Sequence, residues 1–331
     1  MSDPDSKAAP AATGSGVIEA RALTKTYGGV NVVDAINFDI YKGEVFGLLG
    51  PNGAGKTTTI LMMLGLTEIS SGTVSVLGFN PARQPLQVKR RVGYLPDSVG
   101  FYDHLTATEN LAYTAKLMGL SPAERTSRIK AALARVRLSE VADKRVATFS
   151  RGMRQRLGLA EIIVKQAEVA ILDEPTSGLD PQATLEFLGL IEELKREGVT
   201  VLLSSHALDQ VQRICDRVAL FQSGHIVLMG PVADLARQVL GAGFVVEVEA
   251  DGAGLARRLA TIPGVTNVET LAADRFRMTA DRDVRPDAAY AVVGANGSLR
   301  RLSVDEPSLE AIYSRYFQNQ TDQNGGTRDA A

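Results

Sequence analysis

Eight residues, Gly50-Pro51-Asn52-Gly53-Ala54-Gly55-Lys56-Thr57, constrain this chain more than any other stretch. They fit G-x-x-x-x-G-K-[ST], and the flanks suit it: a short apolar run over Glu44–Leu49 precedes the glycines and a helical pattern over Thr57–Leu66 follows. A strand, a glycine-rich loop and a helix in that order belong to an α/β sheet with helices packed on its faces. The residue types answer to polyphosphate chemistry. Glycines let the backbone close round the phosphates and aim its N–H groups inward, and the helix adds its positive N-terminal end. Lys56 is expected at the β- and γ-phosphates, Thr57 on Mg²⁺ and Thr58 on the α-phosphate, with Gly50, Asn52, Gly53, Ala54 and Gly55 forming the cradle. A glycine-rich turn that binds nothing is the competing reading, and the complete pattern in its proper context disfavours it.

The rest of the chain supplies a sheet to carry this loop. Val169–Leu172 and Val199–Ser204 are apolar runs that read as fully buried strands, with a helix over Gln182–Glu197 between them. Val17–Leu23 and Ile36–Ile40 alternate as half-buried strands, and helical patterns dominate from Pro85 to Val164. The run at Val169 ends in Asp173-Glu174, two carboxylates at the strand end where α/β folds place ligands. Asp173 suits the Mg²⁺ role, and Glu174 suits a general base that polarises the attacking water. After Gly241 the texture changes. Strands over Phe244–Glu249, Val265–Thr270, Phe276–Thr279 and Leu299–Val304 alternate with helices over Gly252–Ala260 and Pro286–Val293. That β-α-β-β-α-β order predicts a ferredoxin-like α+β module, followed by a last helix over Pro307–Phe317. The expected organisation is a disordered leader (1–16), a phosphate-binding α/β domain (17–240) with a helical subdomain near 97–164, an accessory domain (241–317) and a flexible tail (318–331).

Composition removes several classes. One cysteine makes no internal disulfide, and no Cys/His cluster has zinc spacing. Net charge is −2, so no basic field invites nucleic acid. No stretch approaches the roughly 20 apolar residues of a membrane span, and the polar start does not resemble a signal peptide. Cys215 reads as a buried small hydrophobe, and His104 and His225 as surface residues.

With both phosphate-site segments in place, the chain resembles the ATP-binding subunits of ABC transporters. The resemblance runs from Val17 to about Leu240 and rests on further segments in the family's order. Thr24-Lys25-Thr26-Tyr27 implies that Tyr27 stacks on adenine. Phe149-Ser150-Arg151-Gly152-Met153-Arg154-Gln155-Arg156 looks like the family signature, which implies that Ser150, Arg151, Gly152 and Met153 face ATP held by a second subunit. Ser150 also suits a helix N-cap. Ser177-Gly178-Leu179-Asp180 resembles the loop that couples the two sites of a dimer, and Ser204-Ser205-His206 implies that His206 contacts the γ-phosphate and orients water. The resemblance further implies an ATP-hydrolysing, head-to-tail homodimer. It would sit on the cytoplasmic face of the inner or plasma membrane through an integral membrane permease. The alternative is a soluble ABC ATPase outside transport, although such proteins usually carry tandem units or coiled coils.

Two departures from the family pattern stand out. Arg91-Val92-Gly93-Tyr94-Leu95-Pro96 is followed by Asp97 where glutamine is usual, and Asp97 is expected to ligate Mg²⁺ directly or through water. The signature carries Arg151 and Met153 in place of a small and a polar residue. Both departures resemble ABC-2 type exporters. Val99-Gly100-Phe101-Tyr102 with Leu105 reads equally as core or as a socket for the membrane partner, and Glu306–Glu310 with Ile312 and Tyr313 resembles the closing segment of such subunits.

Overall fold

A computed structural model describes residues 16–240, 244–252, 254–305 and 308–316. Apart from Gly16, the expected leader lies outside the described residues, as do the expected tail and Pro307 and Phe317 at the ends of the last expected helix. The chain divides into two compact units, Met1–His206 with Ala219–Val227, and Ala207–Val218 with Leu228–Ala331.

The first unit begins with β1 (Ile18–Tyr27) and β2 (Val30–Ile40), an antiparallel pair joined at Gly28-Gly29. Next come β3 (Val45–Leu49), α1 (Lys56–Met63) and β4 (Ser71–Val76), which pairs with β1 in the sheet order β2-β1-β4. The helical stretch contains α2 (Pro85–Arg91), the short strand β5 (Val92–Leu95), α3 (Ala107–Leu117), α4 (Pro122–Arg135) and α5 (Arg151–Lys165). The chain continues through β6 (Val169–Asp173), α6 (Pro181–Arg196), β7 (Thr200–Ser205), α7 (Leu208–Gln212), β8 (Arg217–Gln222), β9 (His225–Gly230) and α8 (Val232–Leu240), of which α7 and α8 fall in the second unit. Six of these strands form a sheet in the order β5-β6-β7-β3-β8-β9.

Register is what positions the site. Every residue of β3, β6 and β7 is buried, and apolar residues fill all of them except Thr200 at the start of β7 and Asp173, Ser204 and Ser205 at the C-terminal ends. The three run parallel, with Leu49 opposite Ser205 and Asp173 opposite Ser204. Their C-terminal ends therefore release three loops side by side: the glycine loop, Glu174 and His206. The helices α3, α4 and α5 pack on one another. Reciprocal capping boxes start two of them, Thr106 with Glu109 and Ser121 with Glu124.

The second unit contains β10 (Phe244–Ala250), α9 (Leu255–Ala260), β11 (Val265–Ala272), β12 (Arg275–Ala280), α10 (Arg285–Gly294) and β13 (Leu299–Asp305). The strands lie in the order β11-β12-β10-β13, and each neighbouring pair is antiparallel. Alternation buries Val246, Val248 and Ala250 with Phe276, Met278 and Ala280 beneath Leu255, Leu259, Ala288 and Val292. Helix α9 starts at Leu255 rather than Gly252, because Gly254 turns left-handed (φ 67°) and breaks the run before it. A further helix over 309–316 buries Leu309 and Ile312.

Candidate active site

The glycine loop is shaped by contacts that exclude side chains. Gly50 has φ 151°, and a Cβ there would lie 2.4 Å from the Phe221 carbonyl oxygen. Gly55 has φ 109° and would meet the Val32 carbonyl oxygen at 2.7 Å. Only glycine lets the backbone turn in this space. Asn52 and Gly53 are exposed at the loop's outer edge, Ala54 is buried, and Thr58 is half-buried in α1.

Helix α1 starts at Lys56, whose side chain is 5% exposed. Its Nζ donates to the carbonyl oxygens of Gly50 (2.6 Å) and Pro51 (3.2 Å) and lies 3.2 Å from Glu174 Oε1. The ammonium is thus held at the mouth of its own loop, where a polyphosphate would meet it. Beside it, Thr57 Oγ1 donates to Asp173 Oδ1 at 3.2 Å, and Ser204 Oγ donates to the same oxygen at 2.5 Å. A hydroxyl and a buried carboxylate side by side form a hard oxygen donor set of the kind Mg²⁺ prefers. Burial and the Asp173 charge push the Tyr94 phenol up to about 12, so it stays neutral beside that carboxylate.

Glu174 has the left-handed backbone conformation (φ 48°), unusual for a residue with a Cβ. Its N–H donates to the carbonyl oxygen (3.2 Å) and the hydroxyl (3.0 Å) of Ser204, which hold the turn in place. Its carboxylate lies between Lys56 and His206, with His206 Nδ1 at 2.8 Å from Oε2. Backbone strain held by surrounding bonds is a feature of functional sites. With Nδ1 turned to the carboxylate, His206 leaves Nε2 on the opposite edge of its ring. The arrangement sets the Glu174 carboxylate between a fixed ammonium and an imidazole.

The remaining sequence candidates fall into separate groups. Ser150 is the N-cap of α5, its hydroxyl accepting the Met153 N–H at 3.3 Å, with Arg151 exposed and Gly152 and Met153 half-buried on the first turn. Asp180 caps α6 by accepting the Ala183 N–H at 2.8 Å, and Ser177-Gly178-Leu179 forms the turn before it. Tyr27 is half exposed at the end of β1, its hydroxyl 3.2 Å from Thr67 Oγ1 and its ring 4.7 Å from Lys25 Nζ. The carboxylate of Asp97 is bound by Arg151 at 2.7 Å, whereas Thr57 is bound to Asp173. His104 and His225 are exposed.

Three contributors carry no role in the sequence reading. Ser204 ties Asp173 to Glu174; its place beside His206 at the end of an apolar strand was the available signal. Gln155, buried in α5, donates to the Asp97 carbonyl oxygen. Asn110 is buried in α3 and pins Tyr102 by accepting its N–H at 2.9 Å and donating to its carbonyl at 3.1 Å. Polar residues within helical patterns gave no sign of either role. In the apolar-aromatic stretch, Phe101 and Leu105 are half-buried, while Tyr102 is exposed and packs edge-on against Tyr113 with ring centroids 5.2 Å apart.

Comparison with known proteins places these groups in context. The family model described as ABC transporter matches residues 33–177. The linearmycin resistance ATP-binding protein LnrL of Bacillus subtilis (strain 168) is 33% identical over 302 residues, spanning 90% of this chain and 97% of that protein. The bacitracin transport ATP-binding protein BcrA of Bacillus licheniformis is 40% identical over 214 residues, 64% of this chain and 69% of that one. A solved structure described as the ATP-binding subunit of an ABC transporter superposes with a TM-score of 0.62 at 34% identity, covering 67% of this chain and 92% of its own.

Proposed function

This chain belongs to the ATP-binding proteins of ABC transporters and is an ATPase subunit of that family, and we propose that it powers an ABC-2 type exporter by closing head-to-tail with a second copy around two ATP. The observation that carries the reading is Glu174, clamped between Lys56 and His206 beside the Thr57–Asp173 pair. Lys56 and the loop amides bind the polyphosphate, and Tyr27 stacks on the base. Thr57 and Asp173 would hold Mg²⁺, which neutralises phosphate charge when bound. Glu174 takes the proton of the attacking water while His206 orients it. Ser150 and Gly152, at the start of α5, offer the partner's γ-phosphate a helix N-terminus, and Ser177–Asp180 lines the joint between the two sites.

Among the described residues no helix is long and apolar enough to cross a membrane. Export therefore needs a membrane permease, and the chain would be held at the cytoplasmic face through it. The stretch from Val99 to Leu105 is the socket we assign to that permease, supported by the exposed Tyr102–Tyr113 pair. Linearmycin resistance, in the name of one relative, supports export over uptake. The strand order β11-β12-β10-β13 supports a ferredoxin-like accessory module. Glu174→Gln tests the base: ATP binding should persist while kcat falls at least about hundredfold. Near-normal turnover in that variant would refute the assignment.

A further inference from the structure

The two places where this sequence departs from its family's pattern meet in space. Arg151 Nη2 lies 2.7 Å from Asp97 Oδ1. One turn along the same helix, Gln155 (1% exposed) donates Nε2 to the Asp97 carbonyl oxygen at 3.2 Å. Residues four apart share a helix face, so α5 grips the 97 position with two side chains, one on its carboxylate and one on its backbone. On its other side Arg151 packs against Gly178, where a Cβ would lie 3.1 Å from the guanidinium Nε. One arginine thus touches both the loop after β5 and the loop before α6.

We infer that Asp97, Arg151 and Gln155 form a latch within one chain that sets the pose of helix α5, making Asp97 a positioning residue and not a Mg²⁺ ligand. This rests on the function proposed above, because it is the start of α5 that is presented to the partner's ATP. A carboxylate already neutralised by a guanidinium is a poor competitor for a cation that Thr57 and Asp173 can hold. The charges at 97 and 151 are opposite, so each departure from the family pattern supplies the other's partner. Both side chains are about half exposed, and an exposed pair alone accounts for a factor of no more than about five. The buried Gln155 bond and the tight Gly178 contact give the pair a fixed geometry. The latch also joins the start of the proposed 99–105 socket to the helix that Ser150 caps.

A double-mutant cycle tests this, using Asp97→Ala, Arg151→Ala, the pair together and the exchanged pair Asp97→Arg with Arg151→Asp. The chain has no tryptophan, so Phe101→Trp adds a single fluorescent reporter of the loop in each background. Each single variant should lower kcat about three- to fivefold, with KM for ATP and the half-saturating Mg²⁺ changed less than twofold. The double variant should be no worse than the poorer single, and the exchanged pair should recover at least half of the lost kcat. Acrylamide quenching of the introduced indole should rise in both singles and fall back in the exchanged pair. Multiplicative losses in the double variant, unchanged quenching, or a tenfold rise in half-saturating Mg²⁺ with Asp97→Ala would each overturn the latch. Quenching that follows the latch in a chain whose turnover ignores Glu174→Gln would leave the latch standing and sink the functional reading instead.

Discussion

In the function proposed above, Glu174 concentrates the chemistry of the molecule in one side chain. A carboxylate 3.2 Å from an ammonium and 2.8 Å from an imidazole is fixed in orientation before any substrate arrives. Fixing the acceptor beforehand is what general-base catalysis requires, since reorganisation during reaction raises the barrier. The same tightness makes the glycine loop fragile. Gly50→Ala puts a methyl group 2.4 Å from the Phe221 carbonyl and forces the loop away from β8. Titration with a fluorescent nucleotide should show at least about tenfold weaker binding, with cooperative unfolding retained at a lower Tm. Lys56, Thr57 and Asp173 could be proposed for their roles from sequence because phosphate chemistry calls for residue types at fixed spacing. Ser204 was not, because its role depends on β7 lying in register with β6.

Elements differ in how much of their form is local. Helices α3 and α4 announce themselves through Thr106/Glu109 and Ser121/Glu124, where each cap satisfies backbone donors from nearby sequence. These bonds hold both carboxyl groups below the usual carboxylate range: the Thr106 N–H chiefly for Glu109, the Ser121 hydroxyl chiefly for Glu124. A depressed acid stabilises the fold above its unfolded pKa, near ~4.3, and that contribution is lost as pH falls through the lower folded value. Urea midpoints should therefore show Glu109→Gln/Glu124→Gln less stable than the parent at about pH 6, with the gap closing as the pH falls below the unfolded carboxylate range. By contrast β4, β5, β8 and β9 escaped the sequence reading. The strand β5 is four residues inside a helical stretch, and its pairing with β6, Val92 to Val169 through Leu95 to Leu172, makes it extended. Pairing to a distant strand leaves no periodic mark in so short a segment.

At the scale of the whole molecule, the dimer has its own test. The proposed site is completed by α5 of a second copy, so nucleotide should hold two chains together until it is hydrolysed. With Mg²⁺ and ATP, light scattering should find Glu174→Gln at twice its nucleotide-free mass, and Lys56→Ala should stay monomeric. A monomeric Glu174→Gln under saturating ATP would rule out closure around the nucleotide. The alternation along β10 and β12 set the second unit's inner face in advance, and the strand order followed only from pairing. By itself the sequence determined the phosphate-binding chemistry, the α/β class and the absence of a membrane-spanning run. Spacing in a loop, apolar runs and residue type are local properties, so they survive without coordinates. Only the tertiary structure decided which partner each charged group takes. Asp97 meets Arg151 rather than Thr57, and Glu174 sits between Lys56 and His206. The Asp97–Arg151 and Glu174–His206 pairings join residues 54 and 32 positions apart, a separation at which sequence carries charge and size but not distance.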